Sequence, residues 1–506
     1  MRMETGALVT LGLYFMLMLG IGVYAWRRST GDVSGYMLGG RRLGPAVTAL
    51  SAGASDMSGW LMLGLPGAMF ATGLSAAWIG LGLVAGAWLN YLIVAPRLRV
   101  YTEAAGDAIT IPDYLGKRFA DRSHLLRVIS SLVIVVFFTL YTASGLVAGG
   151  KLFDSAFGLD YAWGLWITAG VVLAYTLFGG FLAVSLTDFV QGCIMFLALV
   201  LVPVVAMIEV GGPAETAEIV RSVDPARLDL LAGTSAVGVV SALAWGLGYF
   251  GQPHIIVRFM AIRSVRDIPV ARRIGMSWMI VSLAGALATG LTGLAYATAH
   301  GLSVADPETI FILLSDLLFD PLVTGFLLAA ILAAIMSTIS SQLLVSSSSL
   351  TEDFYGLFVR RSASQTELVL VGRIAVLAVA LAAVGLAYSP DNNVLGLVAN
   401  AWAGFGAAFG PLIILSLTWR RMTRNGALAG MITGAATVLV WIFAPVLPSG
   451  AALTTVLYEM VPGFLLSALA IVGVSLMGRT PQGEVAGTFD AVGAKLAGAR
   501  APEAAS

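Results

Sequence analysis

The sequence predicts an all-α polytopic membrane protein with thirteen transmembrane helices, and three observations carry that expectation. Of 506 residues, 58% are hydrophobic and only 11% charged, with a mean hydropathy of +0.91. Soluble domains carry about 25% charged residues. Apolar runs long enough to cross a bilayer recur along the whole chain. The basic residues between those runs sort by side, as the positive-inside rule requires.

In order, the apolar segments fall near residues 6–26, 44–72, 74–96, 128–150, 162–180, 186–208, 233–257, 274–298, 321–349, 371–389, 396–418, 427–446 and 452–477. The first lacks the basic leader and small-residue cleavage site of a signal peptide, and Arg27 and Arg28 follow it directly. Those arginines hold its end in the cytoplasm, so the N-terminus is expected outside. With that orientation 24 of the 28 Lys and Arg residues fall in cytoplasmic loops and tail, Arg258 and Arg266 among them. Arg2, Lys151, Arg221 and Arg227 are left outside. Thirteen spans then put the C-terminus inside. Residues 1–478 read as a single transmembrane domain, and 479–506, rich in Gly and Ala, as a disordered cytoplasmic tail.

The composition also excludes classes. Balanced charge, with 28 basic and 28 acidic residues, argues against a nucleic-acid partner. The lone Cys193 precludes an internal disulfide. No HExxH, GxSxG or metal-ligand cluster supports an enzyme, and His124, His254 and His300 are scattered. The tail is too short for a signalling domain, and no obligate protein partner is evident.

Two spans are interrupted. Within residues 49–72, Ser51, Gly53, Ser55, Asp56, Ser58 and Gly59 crowd the middle of an apolar run. A carboxylate at mid-membrane costs about 2.5–3.5 kcal/mol on insertion scales, so it needs a cation, a partner or water. The competing account, a packing face with a snorkelling Asp, is disfavoured because Asp56 lies far from either end of the run. Glycines there let the helix open and free carbonyls for a small hard cation. The second break, residues 243–256, contains Gly246, Gly248, Gly251, Gln252 and Pro253. Its GxGxxG string lacks the βαβ context of a dinucleotide site, so the glycines are expected to allow close packing and unwinding. Trp245, Tyr249 and Phe250 beside them can form an aromatic wall or simply pack, and the same holds for Tyr141. The breaks are five spans apart and so enter from opposite sides. That spacing suggests inverted five-helix halves, about residues 44–208 and 233–418, with a site between them.

The ninth span adds hydroxyls. Ala334, Ser337 and Thr338 sit at i, i+3 and i+4 on one helical face. With carbonyls from the first break they offer a five-oxygen cage suited to Na+. Serines in membrane helices also bond back to their own carbonyls, so this feature alone is weak.

At these residues the chain resembles the sodium/solute symporter family. The strings that carry the likeness are SDMSGWLMLGLPGA, FGGFLAVSLTDFVQ, WGLGYFGQPHI, ILAAIMST and QLLVSSS. AWAGFGAAFGP, continuing through RMTRNGALAGMI, is close to the family's proline branch, and together they cover residues 10 to 445. The resemblance implies a leucine-transporter-like fold, inverted five-helix repeats with one extra helix before and two after. It implies Na+ as coupling ion and L-proline as solute, carried across the bacterial inner (cell) membrane. Another small solute on the same fold, such as pantothenate, a sugar or another amino acid, is the alternative. It assigns carbonyls of Ala54, Met57 and Ala334 and hydroxyls of Ser337 and Thr338 to Na+. Asp56 and Asp188 match acids that support the cation. Ser58, Gly59, Trp60, Tyr141, Trp245, Tyr249 and Pro253 match positions shaping the solute pocket.

Overall fold

The computed structural model describes residues 5–28, 33–389, 393–445 and 451–500. Arg2, residue 446 and the last six residues of the tail lie outside them. The described residues are helical throughout, with no strand beyond one isolated bridge between Leu43 and Ile262. Among the described residues, ten helices are long and apolar enough to cross a membrane. Two further apolar helices, Tyr161–Leu177 and Ala236–Gly251, are shorter.

Helix α1 spans Thr5–Arg28. The first interrupted segment is α2, Pro45–Asp56, then a π-helical turn over Trp60–Gly64, then α3, Leu65–Thr72. Pro45 opens α2 as a first-turn proline, where its missing N–H costs nothing. Helix α4 (Ala77–Ala104) and α5 (Leu125–Phe157) follow. The fifth and sixth apolar segments are two helices joined directly at a kink, labelled together as α6, Tyr161–Glu209. The kink between its two arms is at Gly180, whose φ of 57° favours glycine. A side chain there would also run into Tyr36.

The second interrupted segment is α7 (Ala236–Leu243), a 3-10 stretch over Ala244–Gly251, an extended Gln252, and α8 (Pro253–Ala261). Then come α9 (Ile268–Ala299), α10 (Pro321–Ser348), α11 (Gln365–Leu386) and α12 (Val394–Thr418). Asp320 caps α10 by accepting the Leu322 amide at 3.0 Å, which satisfies an otherwise orphaned donor. The last pair is α13 (Arg424–Phe443) and α14 (Met460–Met477).

The beginning of the first broken segment lies against the end of the second. The Leu43 amide donates to the Ala261 carbonyl at 3.2 Å, and the Arg263 amide to the Leu43 carbonyl at 2.9 Å. The two broken segments therefore run in opposite directions. Helix α10 is the centre of the bundle, buried almost without interruption from Leu327 to Leu344.

The tail departs from expectation. Residues Glu484–Arg500 form a helix, α15, rather than a disordered segment. Asp490 pairs with both arms of Arg420 at 2.8 and 2.9 Å. Phe489 packs on Tyr101 and under the Arg118 guanidinium. A Gly/Ala-rich composition concealed these few anchoring side chains.

Candidate functional site

The site forms where the two breaks meet α10. The first break follows from Met57, which leaves helical geometry at φ −84°, ψ 78°. Below it, the Ala54 carbonyl accepts the Ser337 hydroxyl at 2.7 Å and faces the Thr338 hydroxyl at 3.5 Å. Both hydroxyls also reach the Ala334 carbonyl, at 3.1 and 3.3 Å. Four hard oxygens from two distant parts of the chain thus converge in a fully buried place. Met57 sits three residues on, at the break itself, and its carbonyl makes no measured contact with these four. The donor set fits Na+: all neutral oxygen, with the hydroxyl lone pairs free to turn inward.

Asp56 ends α2 and is 1% exposed. One carboxylate oxygen accepts the Tyr249 hydroxyl. Its backbone carbonyl, freed by the break, is approached by the Trp60 indole N–H at 3.2 Å and the Tyr141 hydroxyl at 3.4 Å. Asp56 is thereby the hub joining both breaks and α5. Ser58 lies beside the Trp60 amide, and Gly59 packs so closely on Ala148 and Ile335 that a methyl group would collide.

The second break carries the aromatics. Trp245 lies between Trp60, 6.1 Å away, and Tyr458, on which it stacks at 5.7 Å. The Trp402 indole donates to the Trp245 carbonyl at 2.7 Å, and Gln252 donates to the Trp402 carbonyl at 3.1 Å. Those bonds hold the unwound backbone open, which would otherwise leave buried polar groups unpaired. The three glycines of the string serve close approach: Gly246 against Gly82 and Gly86, Gly248 against the Trp402 indole, Gly251 against the α12 backbone. Pro253 is buried and starts α8 directly after the break.

Asp188 is wholly buried near the start of the second arm of α6. Its carboxylate takes the Arg258 guanidinium at 3.0 Å and the Ser51 hydroxyl at 2.7 Å. Arg258 also donates to Ser51 at 3.0 Å and to Ser341 at 2.5 Å. Arg258 was expected in a cytoplasmic loop; it is instead 0% exposed within the bundle. The run IIVRFMA, apolar on both sides of the arginine, carried that signal. Trp402 and Tyr458 were also missed, and their surroundings of small or apolar residues offer no chemical cue.

At the opposite end of the bundle, Lys151 pairs with Glu308 at 2.9 Å and Asp306 at 3.1 Å. Glu308 in turn accepts the Val394 and Leu395 amides, placing negative charge at the N-terminus of α12.

Paired broken helices running in opposite directions, with a hard-oxygen clasp between them, define a membrane carrier of the broken-helix type. The chain belongs to the sodium:solute symporter family, whose model matches residues 36–434. It is 61% identical over 473 residues to the high-affinity proline transporter PutP of Bacillus subtilis, covering 94% of this chain and 98% of that one. It is 56% identical over 484 residues to sodium/proline symporter 2 of Staphylococcus saprophyticus, covering 95% and 94%. Among solved structures it matches a Na+-coupled sialic acid symporter with TM-score 0.80, at 19% identity over 95% of this chain and 100% of that one. That likeness concerns the fold.

Proposed function

We propose that this chain is a secondary active symporter that couples inward Na+ movement to uptake of L-proline. The observation that carries the reading is the clasp of Ala54 with Ala334, Ser337 and Thr338, directly beside the Asp56–Tyr249 bond. The proline specificity is supported by the relatives above 50% identity, which are proline carriers by name.

In this reading the Ala54, Met57 and Ala334 carbonyls and the Ser337 and Thr338 hydroxyls bind the ion. Asp56 supplies the negative charge that favours it. Ser58, Gly59, Trp60, Tyr141, Trp245, Tyr249 and Pro253 shape the solute pocket, with the indoles against the pyrrolidine ring. Asp188 serves the inner ion path through its pair with Arg258. The thirteen apolar segments all span, with inverted repeats at about residues 44–208 and 233–418. The N-terminus lies outside the cell membrane and the C-terminus in the cytoplasm.

Proline is a zwitterion without net charge, so a one-to-one cycle moves one positive charge inward. At about −100 mV that contributes roughly 2.3 kcal/mol. A tenfold Na+ gradient adds about 1.4 kcal/mol. Together they sustain accumulation on the order of 500-fold. The deciding experiment is uptake of radiolabelled proline into proteoliposomes with and without an imposed Na+ gradient. Accumulation only with the gradient supports the reading; equal filling in both overturns it. Uptake of another solute in preference would move the chain to the pantothenate- or sugar-type alternative.

A further inference from the structure

We infer that the headgroup of an anionic phospholipid binds in a basic slot between α4, the start of α9 and the tail helix α15, with Arg272 as its main contact. The slot is independent of the ion and of the solute.

A cavity of about 270 Å³ opens there. Tyr91, Leu92 and Pro96 line it from α4, Arg266 and Arg272 from the entry to α9, and Leu496 from α15. Arg266 precedes α9, and Arg272 lies little more than one turn inside it, about 6 Å along the axis. The slot therefore sits where headgroups meet hydrocarbon. In the proposed orientation that is the cytoplasmic leaflet.

The charge in the slot is one-sided. Two guanidinium groups line it and no carboxylate does. Asp267, the one acid of the turn leading into α9, is already bound by Arg263 at 2.6 Å. The Arg272 guanidinium lies over the Trp88 ring, 5.0 Å from its centroid, and its Nε is buried without a hydrogen-bond partner. An arginine this close to hydrocarbon is costly unless something compensates it. Water satisfies the donors and leaves both charges unbalanced. A phosphodiester supplies acceptors and negative charge together, in the forked geometry that a guanidinium favours.

The surroundings decide which phosphate. Leu81, Trp88, Leu89 and Leu92 are exposed on α4 at i, i+7, i+8 and i+11, an apolar stripe that runs into the mouth of the slot at Leu92. A soluble phosphate would leave that stripe bare, whereas a lipid seated by its headgroup lays its chains along it. With no acid in the slot to receive an ammonium, a net-anionic headgroup is favoured over a zwitterionic one.

The test is native mass spectrometry of the purified full-length chain, stripped of lipid and then exposed to phosphatidylglycerol or phosphatidylcholine. The expected result is one phosphatidylglycerol retained per chain under conditions that remove phosphatidylcholine. Arg272→Gln should weaken that binding about tenfold, the loss of a charge-assisted hydrogen bond. Arg273→Gln, exposed one residue further on and outside the slot, should not. Equal retention of the two lipids overturns the inference, as does unchanged retention in Arg272→Gln. Equal loss in the two variants also overturns it, because general surface charge would then hold the lipid. Displacement of the lipid by millimolar inorganic phosphate would assign the slot to a soluble anion instead. If Arg272→Gln fails to purify as a single species, Arg266→Gln decides by the same comparison with Arg273→Gln.

Discussion

The Asp188 carboxylate lies 3.0 Å from the Arg258 guanidinium, and neither side chain is more than 1% exposed. The pair joins α6 to α8, and through Ser51 and Ser341 it reaches α2 and α10 as well. One ion pair thus ties four helices together below the site. Desolvation makes such a pair a poor source of net stability, but a severe liability once halved.

Arg258→Met is therefore expected to destabilise the chain by about 3–5 kcal/mol, because it strands Asp188 as an uncompensated charge. Adding Asp188→Leu should restore most of the loss. Thermal unfolding of the purified single and double variants checks this. An Arg258→Met chain as stable as the parent would mean that Asp188 is not ionised in the fold.

A second electrostatic contact lies outside the spans, where the loop before α5 meets the start of α13. Burial pushes the Asp121 carboxyl up, but bonds from the Ser123 hydroxyl, the Leu126 amide and Arg424 outweigh it and hold the group below its usual range. The folded chain therefore releases this proton more readily than the unfolded chain, whose carboxyl titrates near about 3.9. Its stabilising contribution is complete above that value and is lost as pH falls through the folded one. Asp121→Asn should flatten the fall in unfolding temperature from about pH 5 to about pH 3. A parallel fall in both proteins would exclude the contact as a source of acid sensitivity.

Orientation is open to direct labelling. Cys193 is the sole native thiol, so a Cys193→Ser background is silent. Glu218→Cys, exposed on the short helix after α6, should react with an impermeant thiol reagent added outside intact cells. Arg266→Cys should be shielded. Labelling at both positions would break the charge-derived arrangement.

Much of this molecule is legible because its physics is local. Hydropathy marks each apolar helix, and Gly, Ser and Asp inside apolar runs mark both breaks. Hard-oxygen chemistry pointed to the hydroxyls of Ser337 and Thr338 and to carbonyls of the first break, whereas Ala54 itself was named by the family resemblance. The kink at Gly180 was legible as well, since it falls where the fifth apolar segment ends. Partners drawn from afar were not. The apolar run around Arg258 marks it as buried, but nothing local tells that its partner is Asp188, or that Tyr458, near the end of the chain, backs Trp245. The tail failed for another reason: composition averaged away Phe489 and Asp490, the residues that dock it.

Trp245 is held on one side by Tyr458 and from behind by Trp402, and its other side meets Trp60. A side chain fixed so firmly can present a rigid wall to a compact apolar ring. Trp245→Ala should raise the proline concentration for half-maximal uptake at least about tenfold, roughly 1.4 kcal/mol. Solute-free Na+ binding should change much less. Equal damage to both would assign Trp245 to helix packing.

Thr338 lies on α10, in the second half of the chain, whereas Ala54 lies on α2 in the first, and their oxygens stand 3.5 Å apart. An ion held between them clamps one half to the other, and alternating access requires those halves to move. Thr338→Val keeps the branched shape and deletes one oxygen. Na+ binding should weaken by about tenfold, or roughly 1.4 kcal/mol. Binding of ion and solute is linked, so proline should also bind less tightly when Na+ is limiting. Raising Na+ should recover much of that affinity, because the aromatic wall at Trp60 and Trp245 is untouched by the change. Proline binding measured across a Na+ series separates the cases. A defect that stays constant from low to saturating Na+ would show that Thr338 does not serve the ion, and that the oxygens around Ala54 are only a helix contact.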